Sequence, residues 1–278
     1  MIAAVDLSLG PSGVAAEVRR ACEEVGFLTV TGHGVADELI EEVARASRAF
    51  FDLPEDEKLR YRGPAETAGV PVYRPLGAEK LGANSDRKAS LDWGPTLEGV
   101  AWPNDELRRL YGAYFAEMLH VADMLVRLFA LALELREEAL VPYFDDRSSS
   151  LRVIDYPAGA AGARAGAHRD YGCLTIIRSD ASGLEVETRA GEWLSVEPPP
   201  GGLVVNIGDL MQRWTGDRWV STLHRVVGLE GASPRRQSLV FFHNPRSDAR
   251  IETLGGGTRY EPVTAGDYVL ARAAEAGL

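Results

Sequence analysis

Between residues 150 and 247 the chain breaks into short β-rich runs parted by turn residues: 151–156, 173–177, 184–187, 193–196, 203–207, 224–229 and 238–243. Many short strands at this spacing predict a double-stranded β-helix, two sheets folded face to face as a jelly roll, with helices packed outside. Helical signals lie on either side of the run. Val14, Val18, Ala21 and Val25 recur at helical spacing over 13–25, with Ser12 placed to cap. A short strand follows at 27–30, then an amphipathic helix over 36–51 that ends at Leu53-Pro54, because proline cannot continue it. A long helix over 105–135 carries Leu107, Leu110, Tyr114, Met118, Val121, Leu125 and Leu128 on its apolar face. The Gly- and Pro-rich stretch 63–99 predicts loops, and 267–272 predicts a last helix that either lids an entrance or packs on the scaffold. With 278 residues, 45% of them hydrophobic, the chain can bury a substantial core. The expectation is one mostly β domain with flanking helices: an N-terminal α/β region (1–100), central helices (105–145), the jelly roll (150–247) and a C-terminal segment (248–278).

Residues able to do chemistry fall inside the strand region. His168 and Asp170 are two apart, so in a strand they project to one face while Arg169 turns away. They follow the glycines Gly159, Gly162 and Gly166, read as a loop, and precede the apolar run 173–177. His224 sits in another strand-like segment, 219–227; its alternative reading is a packed core histidine. Two imidazoles and a carboxylate fill one side of an octahedron and leave the other open, the ligand pattern of Fe(II) oxygenases. Zinc competes physically, since the same set serves catalytic zinc sites. A second pair argues against a zinc hydrolase. Arg236 and Ser238 share a strand face with Val240 and Phe242, and an arginine turned inward among apolar side chains needs an anion. A guanidinium forks onto a carboxylate, and the neighbouring hydroxyl adds a hydrogen bond. The competing reading is a structural salt bridge to a protein carboxylate.

His168-x-Asp170, His224 and Arg236-x-Ser238, together with Asn206-Ile-Gly-Asp209 and Asp155-Tyr-Pro157, resemble the 2-oxoglutarate and Fe(II)-dependent dioxygenases of the isopenicillin N synthase-like superfamily. The resemblance covers nearly the whole chain in order. Val5-Asp-Leu7, Gly26-Phe-Leu-Thr-Val30, Gly32-His-Gly-Val35, Phe50-Phe-Asp-Leu-Pro54 and Lys58 resemble the N-terminal region of that family; Ser90-Leu-Asp-Trp-Gly94 and Trp102-Pro-Asn104 resemble its middle. It implies a cupin-like core, Fe(II) held by His168, Asp170 and His224, and 2-oxoglutarate held by Arg236, Ser238 and Tyr156. It also implies dioxygen as co-substrate and oxidation of an unactivated C–H bond of a small molecule by hydroxylation, desaturation or oxidative cyclisation, with release of succinate and carbon dioxide. The alternative within the superfamily is an oxidase that uses no 2-oxoglutarate, with Arg236 and Ser238 binding the substrate's own carboxylate. One departure stands out: relatives often place Asn two residues before the tyrosine, where this chain has Ile154.

Candidate substrate contacts follow from strand parity and family position: Arg152, Phe242 and Asn244 on inward faces, Tyr171 next to the ligands, and Tyr73 and Arg74 on a loop able to close over the pocket. An unpaired Arg152 would suit a carboxylate-bearing substrate, whereas a structural ion pair would silence it. His33 reads as structural, His120 as a core or helix-surface histidine, and His243 as outward-facing rather than a ligand. The net charge of −11 and the lack of a Lys/Arg-rich run argue against a nucleic-acid partner, and no apolar run approaches a membrane span. Two cysteines, Cys22 and Cys173, fit a reducing compartment, so a cytoplasmic enzyme is expected; the sequence is silent on oligomeric state.

Overall fold

The computed structural model describes residues 2–62, 73–79, 86–95, 101–159, 162–228, 233–257 and 259–275. In chain order the elements are β1 (Ala3–Asp6), α1 (Pro11–Glu24), β2 (Phe27–Thr31), α2 (Asp37–Phe51), α3 (Glu55–Lys58), β3 (Tyr73–Arg74), β4 (Ala89–Trp93) and α4 (Asp105–Ala132). The jelly-roll strands follow: β5 (Ser150–Tyr156), β6 (Gly162–His168), β7 (Leu174–Ser179), β8 (Leu184–Glu187), β9 (Trp193–Ser195) and β10 (Leu203–Ile207). After α5 (Asp209–Trp214) come β11 (His224–Gly228), β12 (Arg236–His243), β13 (Arg250–Ile251), β14 (Val263–Thr264) and α6 (Ala265–Glu275).

A major sheet, ordered β1-β2-β10-β7-β12-β5-β4-β3, faces a minor sheet, β6-β11-β8-β9. Side-chain alternation on the major sheet makes two apolar layers. Leu151 and Val153, Leu174 and Ile176, Leu203 and Val205, and Leu239 and Phe241 point outward and join the core formed with α1, α2 and α4. Their neighbours Ile154 and Tyr156, Ile177, Val204 and Val240 point inward and meet Ala165, Leu184, Val186 and Val226 of the minor sheet. Helix α4 supplies most of the outer layer, and its Phe115 ring stands edge-on to Phe241 at 5.1 Å. The architecture is the expected one, mostly β with flanking helices.

Several details differ from the sequence reading, each for a local reason. The Gly/Pro-rich stretch contributes β3 and β4, which extend the sheet beyond β5 (Ala89 opposite Asp155, Trp93 opposite Leu151). Residues 63–72, 80–85 and 96–100 of that stretch, and Leu229, lie outside the described residues. Gly162–His168, read in part as a loop, is strand β6; its small residues carry little β propensity, and pairing with β11 makes the strand. Ser12 lies inside α1, which starts from Gly10 with Pro11 in its first turn.

His243 faces the outer layer, as parity requires, yet it is buried rather than solvent-facing. Its ring stacks on Phe144 (4.7 Å, 13° between planes) and its Nδ1 lies 2.8 Å from Ser149 Oγ. Burial pushes its pKa down to about 4, below the unfolded value, so the neutral ring stabilises the fold above about pH 6.5 and this contribution fades as pH falls toward 4. His243→Phe should therefore flatten the acid side of the stability-versus-pH curve, measured by urea denaturation between pH 7 and 4; an unchanged slope would remove His243 as its source.

Candidate metal centre

His168 ends β6, and the register puts it directly opposite His224 of β11. Their rings lie 4.3 Å apart, and Phe27 packs edge-on to His224 at 5.3 Å. Each Nδ1 sits against a backbone carbonyl two residues earlier, His168 on Gly166 (2.8 Å) and His224 on Thr222 (3.1 Å). A carbonyl only accepts, so both Nδ1 atoms carry a proton and Nε2 is the ring nitrogen left to face a metal. The Nε2 atoms turn to Asp170 Oδ1, at 4.0 Å from His168 and 3.7 Å from His224. One ligating atom from each of the three residues falls within 4.8 Å of the others.

Asp170 lies beyond the end of β6, so strand alternation alone does not aim it. It is held by two sets of bonds that the sequence reading missed. Thr175 Oγ1 and Asn206 Nδ2 both donate to its Oδ2, at 2.6 and 2.7 Å, which leaves Oδ1 facing the imidazoles. The turn after β10 grips the backbone: Asp209 N donates to the Asp170 carbonyl (2.8 Å), Leu210 N to that of Tyr171 (3.2 Å), and Gly208 N to that of Cys173 (3.1 Å). Asn206 belongs to the turn motif and also braces a ligand, a double use visible only once β7 and β10 are paired. Arg169 turns away onto the Ser221 carbonyl (2.9 Å).

The donor set fits a divalent transition metal. Burial, reinforced by the neighbouring His224, drives the His168 pKa down to about 3, so the imidazole is a neutral ligand. Burial works to raise the Asp170 pKa, but the two imidazoles and the Thr175 and Asn206 hydrogen bonds outweigh it and lower it, so the carboxylate is ionised. The His168 side chain is 24% exposed while Asp170 and His224 are 9% and 5%, which opens the set on one side.

Arg236 stands at the other end of the same interior. It is 1% exposed, and its guanidinium donates to Ser238 Oγ (2.5 Å), Ser179 Oγ (2.8 Å) and the Ala181 carbonyl (3.0 Å), with the Tyr156 ring 5.1 Å from its centre. No carboxylate pairs with it among the described residues. The salt-bridge reading finds no partner among those residues, and burial lowers the Arg236 pKa, outweighing the more distant pull of Tyr156, Asp180 and Glu197. Strand β7 links the two ends: Thr175 touches Asp170 and Ser179 touches Arg236, four residues apart on one face and so roughly 13 Å along the strand. Ile154 fills its position as an apolar inward residue.

The substrate candidates divide. Arg152 is a structural ion pair: Nε and Nη2 reach Asp92 Oδ1 and Oδ2 at 2.8 and 2.7 Å, and Nη1 reaches Glu79 at 3.2 Å. Arg74 pairs with Asp92 and Glu79, and Lys88 with Glu79 and Asp86. Burial alone would raise the Glu79 pKa, but Arg152, Lys88 and Arg74 hold it down at about 2. Breaking such a pair costs about 3–5 kcal/mol, so neither arginine is a free anion receptor. Tyr73 is a buried strand residue against Phe50, with its hydroxyl on Glu55, and closes nothing. Asn244 Oδ1 is occupied by Cys173 N at 3.0 Å. Phe242 stays on the inward face and Tyr171 half-buried beside Asp170. His33 bonds the Gly201 carbonyl (2.8 Å), and His120 is exposed on α4.

Comparison with known proteins gives the family. Residues 147–245 match the model of the 2OG-Fe(II) oxygenase superfamily, and residues 2–113 match that of the non-haem dioxygenase in morphine synthesis N-terminal region. The chain belongs to the 2-oxoglutarate-Fe(II) oxygenases. Among its relatives, the homoarginine-6-hydroxylase 2-ODD-233 of Oryza sativa subsp. japonica is 31% identical over 90% of this chain and 85% of its own. The 2-oxoglutarate-dependent dioxygenase citB of Monascus ruber is 32% identical over 86% and 80%. Among solved structures, a full-length Neurospora crassa protein in complex with alpha-KG and thymine superposes with a TM-score of 0.88 at 26% identity, covering 99% of this chain and 96% of its own. A 2OG-Fe(II) oxygenase family protein from Caulobacter crescentus gives 0.83 at 29% identity, covering 99% of each. Iron and 2-oxoglutarate are therefore the cofactor and co-substrate of this enzyme. No helix among the described residues is long and apolar enough to cross a membrane.

Gly208 tests the brace on Asp170. A Cβ there would lie 2.4 Å from the Gly172 carbonyl oxygen and 2.7 Å from that of Asp170. Gly208→Ala should push the ligand loop away and weaken Fe(II) affinity by roughly 10–100-fold, as loss of ligand-orienting contacts does. Anaerobic metal titration checks it; wild-type affinity would show that the turn does not orient Asp170.

Proposed function

We propose that His168, Asp170 and His224 hold the ferrous ion, that Arg236 with Ser238 and the Tyr156 hydroxyl seats the distal carboxylate of 2-oxoglutarate, and that the enzyme oxidises a C–H bond of a small polar molecule. The observation that carries the reading is Arg236, a guanidinium 1% exposed with no carboxylate partner among the described residues, on the same strand-lined interior as the triad. A buried cation with no carboxylate in direct contact is costly unless an anion arrives to meet it, and 2-oxoglutarate brings one. Ser179 and Ser238 hold the fork in place without neutralising it.

Each side chain then has a defined task. The two histidines present Nε2 because their Nδ1 protons are committed to the Gly166 and Thr222 carbonyls. Asp170 presents Oδ1 because Thr175 and Asn206 occupy Oδ2. When bound, Fe(II) supplies the redox chemistry that couples decarboxylation of 2-oxoglutarate by dioxygen to oxidation of the substrate. For hydroxylation the balance is one oxygen atom to the substrate carbon and one to succinate, with carbon dioxide released. Ile177, Val204, Val240 and Val226 line the interior and keep water from the reacting atoms.

On the substrate side, Arg74, Lys88 and Arg152 are balanced by Glu79, Asp86 and Asp92. A net anion or cation placed against this wall would unbalance it, which favours a neutral or zwitterionic polar group. The Neurospora crassa relative is named for a neutral polar ligand of this kind, thymine, whereas the homoarginine of the plant hydroxylases carries a net positive charge.

Anaerobic titration of the Fe(II) protein with 2-oxoglutarate, followed by its visible charge-transfer absorption, tests the whole assignment. Arg236→Lys should weaken 2-oxoglutarate binding by about tenfold or more, since an ammonium cannot reproduce the fork and one charge-assisted hydrogen bond is lost. Asp170→Ala should abolish the absorption. A normal titration in both variants would move the site elsewhere.

A further inference from the structure

Helix α6 touches the scaffold lightly: Ala265 is its one buried residue among those described, and Tyr268 and Val269 pack on the core from its inner face. Its start is fixed by backbone bonds from Ala265 N to the Ala249 carbonyl and from Gly266 N to that of Ser247, both 2.9 Å. Its far end is held differently. Arg272 spans to Asp209, with Nη2 at 2.9 Å and Nε at 3.3 Å from Oδ2, while Nη1 meets Glu275 and the guanidinium centre lies 5.5 Å from the Tyr171 ring.

Asp209 and Tyr171 are not arbitrary anchors. Asp209 opens α5, and its backbone N–H holds the carbonyl of Asp170; Tyr171 follows Asp170 in the chain, and its own carbonyl takes the N–H of Leu210. One guanidinium therefore bridges both halves of the clasp that fixes the carboxylate ligand: the turn that donates and the loop that accepts. The Arg272 side chain is 35% exposed and that of Asp209 12%, so the pair is screened on one side only. A planar fork over an aromatic face fits this junction in a way an ammonium does not.

We propose that Arg272 is a positioning residue for the metal centre, through which the C-terminal helix pins the Asp209 turn against the Tyr171 loop and so sets the aim of Asp170. The inference rests on the assignment of His168, Asp170 and His224 as the metal ligands. It predicts a dependence of metal affinity on a residue that touches no ligand side chain.

Titration of the metal-free full chain with cobalt(II), read by ligand-field absorption, tests it without turnover. Arg272→Ala should weaken cobalt(II) binding by about tenfold, the lower range for loss of a ligand-orienting contact, with a thermal midpoint close to wild type. Arg272→Lys should recover only part of the affinity. Asp209→Asn keeps the backbone donor and removes the charge partner, and should weaken binding similarly; the Arg272→Ala, Asp209→Asn double variant should be no worse than the weaker single variant. Arg127→Ala, on α4 in an ion pair with Asp123, is the control that leaves affinity unchanged. Wild-type affinity in Arg272→Ala, or additive losses in the double variant, would overturn the proposal. If the wild-type chain binds no cobalt(II), or binds it equally well as His168→Ala, the ligand assignment itself falls and this inference falls with it.

Discussion

The interior is organised by the division of labour between the two oxygens of Asp170. Oδ2 is committed to Thr175 and Asn206, and this commitment is what frees Oδ1 to face two imidazoles. Thr175 and Asn206 are register partners on β7 and β10, central strands of the major sheet. The pairing of those strands is thus a condition for the carboxylate to point where it does. An ionised carboxylate, 9% exposed, would be costly if either neighbour were apolar; the hydroxyl and the amide make it tolerable before any metal arrives.

The same sheet serves two purposes because its strands are read from both sides. On β12, Leu239 and Phe241 join the outer core while Arg236, Ser238 and Val240 line the interior. On β7, Ile176 packs outward while Thr175, Ile177 and Ser179 face in. The outer apolar layer is what lets the inner one carry charge: it holds the strands in register through α4, so the inner face can accept an arginine that no carboxylate contacts directly among the described residues. Stability and chemistry are separated by one residue of pleat.

Much of this was legible in the sequence. Strand parity alone placed Arg236 and Ser238 on one face with Val240, and the spacing of turn signals pointed to the jelly roll. What resisted was whatever depended on long-range pairing. Gly162–His168 is built mainly of glycine and alanine and carries no hydrophobic alternation; its strand character comes from β11. Asp170 lies past the strand end, so its aim depends on an asparagine of β10, 36 residues downstream, rather than on alternation. Arg152 was correctly turned inward by parity, but parity cannot tell that Asp92, on a strand hidden in a Gly/Pro-rich stretch, would meet it with both oxygens. Pairwise neutralisation of buried charge is a tertiary fact.

Strand β7 also acts as a ruler with coarse graduations. Its inward residues recur every second position, a step of roughly 7 Å, whereas one methylene in a diacid changes its length by far less. The distance between the metal ligands and the guanidinium therefore cannot be tuned by sliding the strand: a one-residue slip turns Ser179 to the wrong face, and a two-residue slip overshoots any plausible homologue of 2-oxoglutarate. With 2-oxoglutarate seated as proposed above, preference among keto acids of different length would be set by side chains at the two ends of the span, not by the register.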